Sequence, residues 1–221
     1  MANTILVTGA NRGIGLELVR QLTARGDAVI AVCRASSPAL DALGVRVEAG
    51  VDVTSDADVA ALDERLGALQ LDGLVLNAGV LRRGGLADLD FDAIREQLEV
   101  NTLGPLRVAA RLRARLGRGG KIAVITSRMG SVADNTSGGM YGYRMSKAAV
   151  NMVGKSLAID LEPAGIAVAL VHPGWVKTDM TGGQGLVDAA TSAADILARY
   201  DALDLAATGT FYHANGEVLP W

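Results

Sequence analysis

Short aliphatic runs alternate with longer stretches of helical period along the whole chain, and this alternation restricts the possible folds more than any other feature. The expected strands are Thr4–Thr8, Ala28–Cys33, Val45–Val51, Gly73–Asn77, Lys121–Thr126, Ala167–Val171 and a short one at Gly209–Tyr212. Between them lie helical patterns at Gly13–Arg25, Asp56–Leu69, Phe91–Leu116, Tyr141–Leu161 and Asp188–Leu205. Parallel strands need connections of this length, and a parallel sheet must be covered on both faces. The expectation is an α/β fold, a doubly wound parallel sheet of about seven strands with helices on both faces. With 221 residues and no linker, repeat or low-complexity tract, the chain is expected to form one domain spanning 1–221. Aromatic residues are 4% and hydrophobic ones 50%, so the core must be built from aliphatic side chains.

Composition also narrows the chemistry. Twenty-one Lys and Arg face 24 Asp and Glu, a net charge of −3, which gives no general attraction to nucleic acid or an anionic membrane. One cysteine, Cys33, and two histidines, His172 and His213, fall one short of a structural zinc site of four Cys/His ligands, so no metal is expected. The apolar run Ile5-Leu6-Val7 is too short for an export signal, and no stretch approaches the roughly 20 apolar residues of a membrane span. A soluble cytoplasmic protein is expected. Five arginines, at 107, 111, 113, 115 and 118, crowd the end of one helical pattern, where a solvated helix end is favoured over an anion site.

The first strand runs into Thr8-Gly9-Ala10-Asn11-Arg12-Gly13-Ile14-Gly15 and then directly into a helix. Glycines at this position let the backbone approach a pyrophosphate, and the new helix presents free N–H groups. The spacing is that of T-G-x-x-x-G-x-G, and here the sequence resembles the short-chain dehydrogenase/reductase family, which implies a Rossmann-like fold and a nicotinamide dinucleotide on Gly9, Asn11, Arg12, Gly13, Ile14 and Gly15. At the end of the second strand, where a carboxylate would accept the ribose 2′-hydroxyl, the chain has Cys33-Arg34. Arg34 and Arg12 are guanidiniums suited to a 2′-phosphate, so NADP(H) is expected over NAD(H). Asp52-Val53 resembles the family's adenine-contacting pair, and Asn77-Ala78-Gly79 its N-A-G motif.

Tyr143 and Lys147 are four positions apart in a helical segment and so point to one side. An ammonium beside a phenol favours the phenolate, drawing a pKa of about 10 toward the working range. In the family's setting this is the Y-x-x-x-K motif. Tyr141 is a decoy, since Met145 follows it at the same spacing. The catalytic serine is assigned to Ser127, just after a strand, although it stands 16 positions before Tyr143, and Ser131, 12 positions before it, remains a competitor. Asn101-Thr102-Leu103-Gly104 resembles the N-x-x-G motif, in which Asn101 holds a helix irregularity. Pro105 soon after it also disturbs the ladder. Pro173-Gly174-Trp175-Val176-Lys177-Thr178 matches P-G-x-V-x-T, with Pro173, Gly174, Val176 and Thr178 at the nicotinamide. His172 is read as a strand-end residue.

The resemblance implies hydride transfer between NADP(H) and a small-molecule ketone, aldehyde or alcohol, with Tyr143 as acid/base and Lys147, Ser127 and Asn101 in support. The longer connection before Tyr143 and the ending Gly216-Glu217, Pro220-Trp221 resemble the small carbonyl reductases similar to sniffer and C-factor proteins. A non-catalytic NADP(H)-binding sensor is the alternative. The methionines Met129, Met140 and Met180 suit either an apolar substrate wall or core filling. The helices carrying Asn101 and Tyr143 resemble those at dimer interfaces in relatives, so a homodimer or homotetramer stays open.

Overall fold

Seven strands hydrogen-bond side by side in the order β3-β2-β1-β4-β5-β6-β7, every pair parallel. The structure, a computed structural model, describes residues 2–221. The chain runs β1 (Thr4–Thr8), α1 (Gly13–Ala24), β2 (Ala28–Val32), α2 (Pro38–Asp41), β3 (Arg46–Glu48), α3 (Asp56–Leu66), β4 (Leu71–Leu76), α4 (Phe91–Leu98), α5 (Gly104–Leu112), β5 (Leu116–Ile125), α6 (Tyr141–Leu161), β6 (Ala167–His172), α7 (Ala189–Ala202) and β7 (Thr210–His213). Strand order reverses between β1 and β4, which opens a crevice at the carboxyl ends of the strands. This is the Rossmann-like doubly wound sheet expected from the sequence.

Successive side chains of each strand leave opposite faces, so two cores form. Leu6, Leu74, Leu76, Ile122, Val124 and Val168 pack under α3, α5 and α6. Ile5, Val7, Val75, Ala123, Ala169 and Val171 pack under α1 and α7. The second face carries alanines at 123, 167 and 169, small side chains in the core shared with α7. No helix among the described residues is long and apolar enough to cross a membrane.

Several boundaries differ from the expected ones. The single helix expected over Phe91–Leu116 is broken: α4 ends at Leu98, a π-helical turn spans Glu99–Leu103, and α5 resumes at Gly104-Pro105. Pro105 has no N–H to give the ladder, so the extra residue is absorbed there. The third strand shrinks from Val45–Val51 to Arg46–Glu48, and Gly50, at φ +74°, takes the chain out of the extended conformation just beyond it. The strand expected from Lys121 already begins at Leu116, which pairs with Leu71. The short α2 was not anticipated; Ser37 caps it and Pro38 opens it. Three of the five clustered arginines have acid partners and are not simply solvated: Arg107 pairs with Asp56, and Arg111 and Arg115 both reach Asp63, two acids on α3.

Candidate active site

The crevice at the β1/β4 switch point is a cleft of about 420 Å3. Gly9, Asn11, Arg12, Gly13, Ile14, Gly15, Arg34, Asp52, Val53, Asn77, Ala78, Gly79 and Thr178 all line it. Met180, one of the methionines named for an apolar wall, lines it too, as does Cys33, while sequence reasoning did not single out Val32, Ala35, Val51, Val80, Val100 and Asp179, which line it as well. All but Asp179 are apolar, and nothing in their residue type marks them.

The glycine loop is shaped by contact with the end of β4. Gly9 has φ +67°, and a Cβ there would stand 2.8 Å from the Ala78 Cα. A Cβ on Gly15 would stand 2.1 Å from the Gly9 carbonyl oxygen, so neither position admits a side chain. Asn77 completes the link: its Nδ2 donates to the carbonyls of Thr8 and Gly9 at 3.1 Å, and its N–H donates to the Thr8 hydroxyl at 3.0 Å. Arg12, at the N-cap of α1, makes no side-chain cap, so the first amides of the helix face the cleft unsatisfied. Such amides over side-chain-free backbone fit a dinucleotide pyrophosphate.

Farther along the cleft, Asn11 is tied to the segment after β2, donating to the Ala35 carbonyl at 2.9 Å and accepting at its own carbonyl from Ser37 at 2.8 Å. Arg34 lies there with its guanidinium 4.0 Å from Asp52. Burial pushes the Asp52 carboxyl up, but hydrogen bonds from Thr54 and the charge of Arg34 outweigh it and hold the group below its ordinary value. Both arginines, Arg12 and Arg34, have largely exposed side chains and line the cleft.

At the inner end, Gly79 separates the cleft from a buried polar cluster. A Cβ on Gly79 would lie 3.2 Å from Asn101 Oδ1 and 3.9 Å from Lys147 Nζ. Asn101 sits in the π-helical turn; its Oδ1 accepts from Val80 N–H at 2.8 Å, while its Nδ2 donates to the Val80 carbonyl at 2.8 Å and to Ser146 at 3.0 Å. Lys147 is buried on α6, and its Nζ donates to the Ile125 carbonyl at 3.0 Å and lies 5.8 Å from the centre of the Tyr143 ring. Burial draws its pKa down to about 8.

Tyr143 is buried beside it, and burial pushes its phenol up to about 12, with the Ser127 hydroxyl acting in the opposite direction. This corrects the expectation that the neighbouring ammonium draws the phenol down: the ring is too dry, and Lys147 is committed to the strand. Ser127 follows β5 and caps a short turn at Arg128–Gly130, accepting from the Met129 N–H at 3.2 Å. Ser131 is elsewhere engaged: its hydroxyl donates to the Trp221 carbonyl at 3.1 Å and accepts from the Asp134 N–H at 3.0 Å. The structure thus brings Ser127, not Ser131, to Tyr143.

Pro173, Gly174 and Val176 lie in the segment after β6, outside the lining of the cleft, and Thr178 closes that segment against Gly13. Val176 is buried and bridges to Val187. His172 ends β6, edge-on to His213 at 4.9 Å, and burial followed by the neighbouring positive groups draws it down to about 3.

Known proteins share this arrangement. A family model described as short chain dehydrogenase matches residues 3–186. A 1-hydroxy-2-glutathionyl-2-methyl-3-butene dehydrogenase from a Rhodococcus species is 45% identical, over 99% of this chain and 100% of that protein. The C-signal protein of Myxococcus xanthus is 42% identical over 68% of this chain and 93% of its own length. Among solved structures, the carbonyl reductase Sniffer of D. melanogaster has a TM-score of 0.91 at 31% identity, covering 100% of both chains. A carbonyl reductase from Pseudomonas aeruginosa in complex with NADP has a TM-score of 0.88 at 33% identity, again over 100% of both. The agreement extends from the glycine loop through the segment after β6, and the chain belongs to the short chain dehydrogenase family, with carbonyl reductases among its structural neighbours.

Proposed function

We propose that this protein interconverts a carbonyl compound and its alcohol with NADP(H), acting as a reductase of a ketone or aldehyde. The observation that carries the reading is the convergence of Ser127, Tyr143 and Lys147 behind Gly79, at the inner end of a cleft whose glycine loop fits a dinucleotide. When bound, the nicotinamide supplies the hydride.

The protein's own groups do the rest. Ser127 donates a hydrogen bond to the substrate oxygen and holds it beside the phenol. Tyr143 gives its proton to the alkoxide oxygen as charge develops there, and in the reverse direction takes it back. A phenol kept protonated by burial is in the correct state to act as an acid at neutral pH. Lys147, at the Gly79 wall, stabilises the phenolate left behind and binds the nicotinamide ribose. Asn101 holds the bend of the π-helical turn and the Val80 backbone, and so supports proton resupply to Lys147.

Arg12 and Arg34 at the cleft's outer end favour a 2′-phosphate over a free 2′-hydroxyl, since no carboxylate occupies the end of β2. Pro173, Gly174, Val176 and Thr178 would hold the carboxamide end. The methionines at the rim favour a bulky apolar or aromatic carbonyl, with Met180 lining the cleft itself. The Rhodococcus relative acts, by its name, on a glutathionyl alcohol, so glutathione-conjugated alcohols and aldehydes belong in the same substrate panel.

The test is NADPH consumption over that panel by the parent protein and by Tyr143→Phe. The expected result is turnover by the parent and a loss of about 10²–10⁴-fold in the variant with NADPH affinity retained. NADPH binding without turnover of any substrate would overturn the catalytic reading in favour of a sensor.

A further inference from the structure

Beyond β7 the chain reverses. Gly216 N–H donates to the His213 carbonyl and His213 N–H to the Glu217 carbonyl, both at 2.8 Å, and Val218 then pairs antiparallel with Tyr212. Leu219 is buried with Phe211 and Leu170 in a small core of its own, and the Trp221 ring stacks at a tilt on Phe211, 5.6 Å between centres. This returning segment is partly exposed, at Val218 and Trp221. It lies against the turn that carries Ser127.

Three polar contacts join the two. Arg128, the residue after Ser127, places its guanidinium 2.8 Å from Glu217 and 2.8 Å from Asp134. Ser131 Oγ donates to the Trp221 carbonyl at 3.1 Å, and the Ala133 N–H donates to the same oxygen at 2.9 Å. The inner side of the turn rests on α6 through Gly130, and its outer side rests on Glu217 and Trp221. A turn of three residues has little packing of its own, so its placement depends on what clamps it from both sides.

We propose that Glu217 and Trp221 are positioning residues, which strap the Ser127 turn from outside and so fix where the serine hydroxyl stands relative to the substrate oxygen. Neither lines the cleft. The inference rests on the role proposed for Ser127 above, and it assigns a task to the Gly216-Glu217 and Pro220-Trp221 ending that the reaction itself leaves without one.

Glu217→Ala and Trp221→Ala are expected to lower kcat for a carbonyl substrate by about tenfold, the scale of a small misplacement of a reacting group. NADPH affinity should stay within twofold, because the glycine loop lies at the other end of the cleft. Glu217→Gln and Trp221→Phe, which keep a hydrogen-bonding group for Arg128 and a ring for Phe211, should restore most of the rate. Hydrogen exchange at the amides of Met129, Gly130 and Ser131 should speed up in the alanine variants and return in the conservative ones. Glu217 is half exposed, so its variant stays informative even where Trp221→Ala folds poorly. An unchanged kcat, a loss of NADPH affinity equal to the loss of kcat, or unchanged exchange at the turn would overturn the proposal. If the parent protein reduces no carbonyl, the proposed reaction falls, and the exchange measurement alone still decides whether the strap holds the turn.

Discussion

Gly130 lies directly on the backbone of Lys147: a Cβ at this glycine would stand 2.5 Å from the Lys147 carbonyl carbon and 2.6 Å from its oxygen. The neighbour is helical backbone, which cannot yield as the tip of a side chain would. The turn bearing Ser127 and the helix bearing Tyr143 and Lys147 are therefore held in register by the absence of one methyl group.

Replacing that hydrogen should displace the turn. Gly130→Ala is expected to cost about 1–3 kcal/mol of stability, as for other overpacked sites, and to lower kcat more than tenfold. Gly117→Ala, whose added Cβ meets nothing within 4 Å, is the control and should leave both near the parent values. Urea melts and NADPH-oxidation rates on the same preparations check the pair.

The buried ammonium makes stability depend on pH. The folded value of Lys147, about 8, lies below its ordinary 10.5, so its contribution is fully present above pH 10.5 and is lost as the pH falls through 8. Lys147→Met removes that loss, and its stability relative to the parent should fall by on the order of 2 kcal/mol as the pH rises from 7 to 10.5. Tyr143 has the opposite sign: raised to about 12, it contributes below pH 10 and loses that contribution as the pH climbs through 12. Denaturation at pH 7, 8.5 and 10 reads most of the lysine window before the tyrosine one opens, and a constant difference between Lys147→Met and the parent would contradict a buried ammonium.

The two serines should separate cleanly. Ser127→Ala is expected to reduce kcat by about 10²-fold, the scale for one lost donor to a developing oxyanion. Ser131→Ala should cost less than about tenfold, acting only through the turn it ties to Trp221. A larger loss from Ser131→Ala than from Ser127→Ala, measured with the same carbonyl substrate, would exchange their assignments.

Cofactor choice is expected to rest on guanidiniums. Arg34→Ala and Arg12→Ala should each weaken NADPH binding by about tenfold or more, the worth of a charge-assisted hydrogen bond, and leave NADH binding within about twofold. Fluorescence titration with both nucleotides at low and high salt distinguishes this from a general loss of the cleft, which would weaken the two equally.

Much of this protein was legible along the chain. The alternation of aliphatic runs with helical segments carries the parallel sheet, because strand burial and crossover length are local properties of sequence. The glycine loop, Asn77-Ala78-Gly79 and the Tyr143–Lys147 pair were legible through their resemblance to the family's motifs, each a residue type at a short, fixed interval. Where the chain misled, the missing information was a neighbour remote in sequence. Arg107, Arg111 and Arg115 pair with acids on α3, partners brought alongside only by the folded layers.

The sequence by itself determined the fold class, which follows from periodicity, and through its resemblance to the short chain dehydrogenase family it pointed to the glycine loop, Tyr143 and Lys147. The sequence favoured Ser127 over Ser131, and only the tertiary structure showed what each hydroxyl meets, Tyr143 for Ser127 and the Trp221 carbonyl for Ser131. It likewise decided that burial, rather than the ammonium one turn away, governs the Tyr143 phenol. Desolvation is a property of everything packed around a group, and no interval between two residues encodes it.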